Sequence, residues 1–163
     1  MRDWAYNKAR FDAETWWYRG NSALNLMSDV EVKRQQSDLK NVVIYGNPAT
    51  NSYLKEIAPK VRNLPFASNG LDISVGDKKL KEDCGLLWGG VSQTGYRIGI
   101  IGGNSSLGCR TTERVPVFLS GVHFPDFYAV TNEMYLRASK GVAAAGFYDP
   151  NWEFKPDRFA FRD

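Results

Sequence analysis

The sequence predicts an α/β fold of three layers, with a mostly parallel or mixed twisted sheet and helices on both faces, as in Rossmann-like and flavodoxin-like folds. Short continuous runs of apolar and β-branched residues, such as residues 41–46 (NVVIYG), are typical of strands buried on both faces of a parallel sheet. Such runs alternate with segments of helical spacing. The chain has 163 residues, 43% of them hydrophobic, which suffices for one domain spanning residues 1–163.

The N-terminal segment predicts an amphipathic helix rich in aromatic residues. Residues 3–18 place apolar side chains near helical spacing, and Gly20 follows as a helix stop. Three consecutive aromatic residues at 16–18 are too many for one narrow stripe, so some should face a neighbouring element or another domain. Because the chain opens inside this helical pattern, we interpret residues 1–22 as a helix at a domain join, in a fragment of a longer protein.

The middle of the chain predicts most of the strands. Residues 23–32 alternate apolar and polar side chains and predict a strand or a strand followed by a loop, and residues 33–40 predict a polar connector. After the strand at 41–46, a helix is expected at about 51–60. Further strands are predicted at 84–93, 95–104 and 115–122, and turn residues such as Gly76-Asp77 predict a hairpin within about 71–93.

The C-terminal part predicts one more helix and an irregular tail. Residues 131–145 carry apolar side chains at near-helical spacing and several alanines, which favour a helix. The segment 149–163 is aromatic and interrupted by proline, which is typical of a loop and an edge strand laid over the body.

Composition argues against several classes of function. The net charge is only +3, without a concentrated basic stripe, so no nucleic-acid partner is predicted. No run of about 18 apolar residues is present, so no membrane span is predicted. His123 is the only histidine, and the two cysteines, Cys84 and Cys109, match no metal spacing. We therefore predict no metal and no cofactor, and we favour two buried free thiols over a disulfide, which stays open.

Polar residues follow three of the predicted strands, where ligands bind in open α/β sheets. The segments are 46–51, 102–106 together with Arg110, and 121–126. A parallel sheet would allow them to converge, and whether they form one pocket stays open. The alternative is local: asparagine, serine and threonine also cap helices. Residues 102–106 lack the lysine of a phosphate-binding loop. The candidate ligand-binding residues are Asn47, Thr50, Asn51, Gly103, Asn104, Ser105, Arg110, His123 and Asp126.

No catalytic residue is predicted from these segments. His123 could act as a general base with Asp126, but no nucleophile lies in a suitable motif. In particular, the residues around Ser120 do not form the Gly-x-Ser-x-Gly turn of α/β-hydrolases.

Four segments carry a family resemblance: NKARFDAETWWYRGN (7–21), NVVIYGNPATN (41–51), GYRIGIIGGN (95–104) and GCRTTERVPVFLSGVHFPDF (108–127). Together they resemble the C-terminal region of secreted bacterial α/β-hydrolase-like proteins of the prolyl-oligopeptidase and esterase type. The resemblance implies a periplasmic or extracellular accessory domain that follows or packs on a hydrolase catalytic domain of the same parent chain. The catalytic triad would belong to that other domain.

Three functional hypotheses follow. The first is a non-catalytic accessory or interaction domain of an exported hydrolase. The second is a domain that binds or hydrolyses a small anionic or sugar-like ligand with the polar strand-end segments. The third is a homo-oligomeric structural protein, which the aromatic surplus would support.

Overall fold

A six-stranded mixed sheet organises the fold, and a two-stranded sheet accompanies it. The computed structural model describes residues 1–35, 41–118, 121 and 123–162. Its strands are β1 (Asn41–Tyr45), β2 (Ile73–Val75), β3 (Lys78–Leu80), β4 (Cys84–Val91), β5 (Arg97–Gly103), β6 (Phe127–Thr131), β7 (Val142–Gly146) and β8 (Phe159–Phe161). Its helices are α1 (Arg2–Gly20), α2 (Asp29–Gln35), α3 (Ser52–Ile57), α4 (Ser106–Thr111) and α5 (Met134–Arg137). Short 3₁₀ turns follow at Ala58–Lys60, Thr112–Arg114, Ala138–Gly141 and Pro156–Arg158.

The strand directions contradict the predicted three-layer, mostly parallel Rossmann-like sheet. The strand order is β1-β5-β4-β6-β7-β8, and within the described ranges only β1 and β5 pair in parallel. The prediction failed because a continuous apolar run reports burial on both faces, which an antiparallel sheet covered on both sides produces as well. A short turn at 92–96, with Gly95 at φ 89°, joins β4 and β5 as a hairpin.

The core lies on both faces of the large sheet. One face carries the larger cluster, in which Leu86, Trp88 and Ile100 pack with Leu54 of α3. The other face carries a smaller cluster around Leu87, Val115 and Val130. The alternation of side chains along β4 explains this division, because successive residues of a strand point to opposite faces.

The helix predicted at 3–18 is confirmed as α1, but its predicted amphipathic character is wrong, because Lys8 and Asp12 are buried while aromatic side chains such as Trp17 are exposed. The strand predicted within 23–32 is wrong. That segment begins without regular structure and then forms α2. The Ser28 hydroxyl accepts a hydrogen bond from the Glu31 amide at 3.2 Å, and the Glu31 carboxylate accepts one from the Ser28 amide at 2.8 Å. This reciprocal pair is a capping box, which marks the start of a helix. The alternation of apolar and polar residues in the same segment favoured a strand instead. Of the predicted connector at 33–40, residues 36–40 lie outside the described residues.

The helix predicted at 131–145 is wrong as well. Thr131 ends β6, and only Met134–Arg137 is α-helical before β7 begins at Val142. Small side chains let β7 pack between two neighbouring strands, and Ala144 is almost fully buried there. Tertiary packing therefore overrides the helical preference of alanine.

Most of the remaining predictions of helices and strands are confirmed, and one is wrong. The strands at 41–46, 84–93 and 95–104, the helix at about 51–60 and the hairpin around Gly76 are confirmed within a few residues. The strand predicted at 115–122 is absent from the part of it that is described, residues 115–118 and 121. The tail is confirmed as loop and edge strand, because β8 is the last strand of the sheet.

Candidate functional site

Asn47 connects the ends of the two parallel strands. The residue is fully buried directly behind β1. Its side-chain Nδ2 donates to the Gly103 carbonyl at the end of β5, at 2.8 Å. Its Oδ1 accepts from the backbone amides of Ala49 and Thr50 at 3.0 and 3.1 Å. The first two predicted segments therefore do lie side by side, as parallel pairing requires.

The other polar residues of these two segments bind the backbone around them. Asn51 caps α3, with its Oδ1 accepting from the Leu54 amide at 2.9 Å. Ser105 caps α4 in the same way through the Gly108 amide, at 2.9 Å. Asn104 accepts from the Cys84 amide at 2.8 Å and donates to the Glu82 carbonyl at 2.9 Å. The hydrogen bonds of these side chains cap helices and join loops.

The third predicted segment lies elsewhere, so the three segments do not converge on one site. His123 and Asp126 precede β6, whereas Thr131 at its other end pairs with Cys84 near the β5 terminus. The length of β6 separates the two positions by about 13 Å. Asp126 accepts from the Tyr148 amide at 3.1 Å, and burial raises the pKa of its carboxyl. His123 is exposed.

A groove lies between α1 and α4. This α1–α4 groove has a volume of about 650 Å³. Its lining combines apolar, aromatic and charged side chains: Met1, Trp4, Asn7, Lys8, Phe11, Ser106, Arg110 and Glu113. Arg110 is the one candidate ligand-binding residue among them.

A second, smaller cavity lies beside the loop that connects β1 to α3. This β1–α3 cleft has a volume of about 370 Å³ and is lined by Asp29, Pro48, Ala49, Thr50, Ser52, Lys55, Ser68 and Asn69. The Asp29 carboxylate accepts from the Ser52 amide at 2.7 Å. Burial opposes ionisation of Asp29, yet its hydrogen bonds with Ser52 lower the pKa of the carboxyl below the ordinary value. Asp29 thus serves to dock α2 against the start of α3.

A buried charged cluster, missed in the sequence, fastens α1 to the sheet. The Lys8 ammonium lies 2.5 and 2.7 Å from the two Asp12 oxygens, and both residues are buried. The Tyr45 hydroxyl donates to Asp12 at 3.0 Å. Burial, the Asp12 charge and this hydrogen bond raise the pKa of the Tyr45 phenol. The i,i+4 spacing of Lys8 and Asp12 was the available signal, but such pairs usually lie on exposed helix faces.

The cysteines are buried and free, as the favoured interpretation had it. Burial raises the pKa of Cys84 to about 12 and that of Cys109 to about 11, which keeps both as thiols. Within the described ranges, no group of three or more His, Cys, Asp or Glu side chains is placed to hold a metal ion. Among the described helices, none has the length and apolar character needed to cross a membrane.

Comparison of the chain with protein-family models, with curated proteins and with solved structures finds no match.

Replacing Asn47 with alanine is expected to lower the free energy of unfolding by about 2–4 kcal/mol, because it leaves the buried Gly103 carbonyl and two loop amides without their partner. Urea unfolding followed by circular dichroism measures the change. Asn25→Ala is the matched control, since Asn25 is exposed, and should stay within about 0.5 kcal/mol of wild type. Equal midpoints for the two variants would contradict the role of Asn47.

Replacing Tyr45 with phenylalanine is expected to lower the free energy of unfolding by about 1.5–3 kcal/mol at neutral pH, because Asp12 loses a donor. The free energy of unfolding of the variant should also fall less steeply than that of wild type as the pH rises above about 10. Unfolded Tyr45 ionises near its ordinary pKa of 10.0, while the folded residue stays protonated. Its contribution is therefore complete below about pH 10 and is lost as the pH rises further.

Urea unfolding at about pH 7 and about pH 11 measures this slope. The control is Tyr18→Phe, because Tyr18 is 84% exposed, and it should keep the wild-type slope. A Tyr45→Phe protein with an unchanged slope would show that the phenol does not report on the cluster.

Proposed function

We propose that this chain is a non-catalytic interaction domain that docks on a partner domain through α1. The observation that carries the proposal is the exposure of aromatic side chains along that helix. Tyr6 is 60% exposed, Phe11 64%, Trp17 65% and Tyr18 84%. Large exposed apolar surfaces of this kind mark interaction sites.

The exposed aromatics form two stripes rather than a random scatter. At 3.6 residues per turn, Tyr6 and Trp17 share one side of α1, about three turns apart. Phe11 and Tyr18 share another side, about two turns apart. Arg10 and Glu14 form an exposed ion pair on the same helix, at 2.8 Å. Aromatic anchors beside charged pairs are the usual composition of a protein interface.

The attachment of α1 to the body favours docking as a rigid unit. Lys8 and Asp12 anchor its buried side to Tyr45, and Trp16 packs edge-on against Phe118 with ring centroids 5.5 Å apart. A partner would therefore meet aromatic side chains that are already positioned, which lowers the entropic cost of association.

The identity of the partner is proposed from the resemblance. We propose a hydrolase catalytic domain of the same parent chain, in an exported protein with a periplasmic or extracellular location. The engagement of Asn47, Asn51, Asn104 and Ser105 in caps and loop contacts is consistent with an accessory role.

The alternative, a small-ligand domain built on the three polar segments, has less support. Most of its candidate side chains already have backbone partners, and His123 and Asp126 lie away from the rest. Thr50 lines the β1–α3 cleft, and Arg110 lines the α1–α4 groove, so even the first two segments do not share one cavity.

We expect the isolated 163-residue chain to hydrolyse neither p-nitrophenyl esters nor peptide p-nitroanilides above the rate of buffer. Absorbance of the released nitrophenol or nitroaniline measures this, with a known serine hydrolase as positive control. Turnover that disappears in the His123→Ala protein would overturn the non-catalytic assignment.

Docking can be tested with the catalytic domain encoded upstream in the same reading frame, expressed as a separate protein. The Tyr6→Ser, Trp17→Ser double variant should weaken its binding by about tenfold or more, because truncating aromatic anchors often costs about 2 kcal/mol or more. Isothermal titration calorimetry measures the dissociation constants. The matched control is Phe147→Ser, since Phe147 is 54% exposed and follows β7.

Two results would contradict the docking proposal. One is an upstream reading frame without a hydrolase domain. The other is a mass in light scattering that doubles with concentration and returns to one chain in the double variant, since the aromatic stripes would then join copies of this chain.

A further inference from the structure

We propose that the α1–α4 groove binds an extended peptide segment of the partner that carries a carboxylate side chain beside an apolar one. The inference deepens the proposed function and rests on it, because it names the chemistry of the segment that the interaction domain holds. Three features of the groove support it: among the described residues an indole donor has no acceptor and an arginine has no ion-pair partner, and an apolar wall continues into the exposed aromatic residues.

The indole donor belongs to Trp4. Its Nε1 is buried and has no hydrogen-bond acceptor in the part of the chain that the structure describes. Buried donors without a partner are rare in native proteins, and each calls for an explanation. Trp4 lines the groove while its Nε1 is covered, so an acceptor on a bound segment would satisfy this donor once the Trp4 side chain turns toward the groove.

The arginine is Arg110 of α4. Lys8, the other cation of the groove, is already neutralised by Asp12 at 2.5 Å. Arg110, in contrast, forms no ion pair with any other described residue. A guanidinium group binds a carboxylate in bidentate geometry and strongly. Glu113, which also lines the groove, repels every anion, and it repels a doubly charged phosphate more strongly than a carboxylate.

The apolar wall is formed by Met1 and Phe11. Phe11 is also one of the exposed aromatic residues of α1, so the groove continues the proposed docking surface. The volume of about 650 Å³ lies within the range of pockets that enclose small ligands. A few residues of an extended chain fit this space better than a whole helix, whose diameter is about 10 Å.

The experiment uses the ¹⁵N-labelled chain and the capped peptide acetyl-Leu-Asp-Leu-amide, with its Asn counterpart acetyl-Leu-Asn-Leu-amide. Titration followed by ¹H–¹⁵N correlation spectra reports on each indole N–H, and the Trp4→Phe protein assigns the Trp4 signal. We expect the Asp peptide to shift the Trp4 indole proton downfield, because the N–H gains an acceptor. The Asn peptide should bind at least about tenfold more weakly, since it cannot form a charge-assisted pair with Arg110.

The Arg110→Met protein should lose about tenfold or more in affinity for the Asp peptide and retain the weak affinity for the Asn peptide. Arg19→Met is the matched control, because Arg19 is exposed on α1 and does not line the groove, and it should bind like wild type. Backbone spectra of both variants that overlay on wild type establish that the fold is kept. Arg110→Lys, which keeps the charge without the planar fork, should fall between wild type and Arg110→Met.

Three results would overturn the inference: an unmoved Trp4 indole signal, equal affinities for the Asp and Asn peptides, or an Arg110→Met protein that binds like wild type. Acetate that shifts Trp4 as strongly as the Asp peptide would show a simple carboxylate site and reject the peptide segment. The docking test uses Tyr6 and Trp17, which do not line the groove. If the peptide binds but the domain does not dock, the proposed function is therefore contradicted. If the domain docks but the peptide does not bind, only this inference is contradicted.

Discussion

The pairing of β1 with β5, locked by the buried amide of Asn47, is the contact on which the arrangement at this end of the sheet depends. One side chain satisfies the last carbonyl of β5 and two amides of the loop after β1. The strand ends also need a close approach, because a Cβ at Gly102 would lie 2.0 Å from the Gly46 carbonyl oxygen. Burying an amide is favourable only when its hydrogen bonds are made, and here they are made between segments far apart in sequence.

The helices beside this contact follow from it. Asn51 starts α3 after β1, and Ser105 starts α4 after β5, so both helices leave from the same end of the sheet. The cluster of Lys8, Asp12 and Tyr45 then holds α1 against the end of β1. A buried ion pair adds little net stability. Removing one partner, however, leaves the other charge buried without a counter-ion, so such a pair specifies one docking position for the helix.

This arrangement gives α1 two different sides. Its buried side is tied to Tyr45 of the sheet through Asp12, and Trp16 packs on Phe118 of the segment before β6. Its outer side leaves four aromatic residues in water. The α1–α4 groove lies where the two sides meet. The proposed docking of a partner polypeptide uses these exposed aromatic side chains and the groove beside them.

Local patterns were sufficient for much of the fold. The runs NVVIY and CGLLWGGV and the stop at Gly20 each encode their element through nearest neighbours and were predicted correctly. Strand direction was not readable, since burial on both faces leaves the same apolar run in parallel and antiparallel strands. The Ala-rich strand β7 was not predicted, because small side chains are favourable there only through packing against the neighbouring strands of the sheet.

For the candidate ligand-binding residues, too, some properties follow from the sequence and others only from the fold. The sequence by itself determined that Asn47, Asn51, Asn104 and Ser105 follow strands and carry hydrogen-bonding side chains, which is a property of spacing. Only the tertiary structure decided what those side chains bind, because their partners include Gly103 and Cys84, which lie far along the chain. It also decided that His123 lies at the other end of β6 and that Lys8 is buried, since both depend on strand order and helix docking rather than on local sequence.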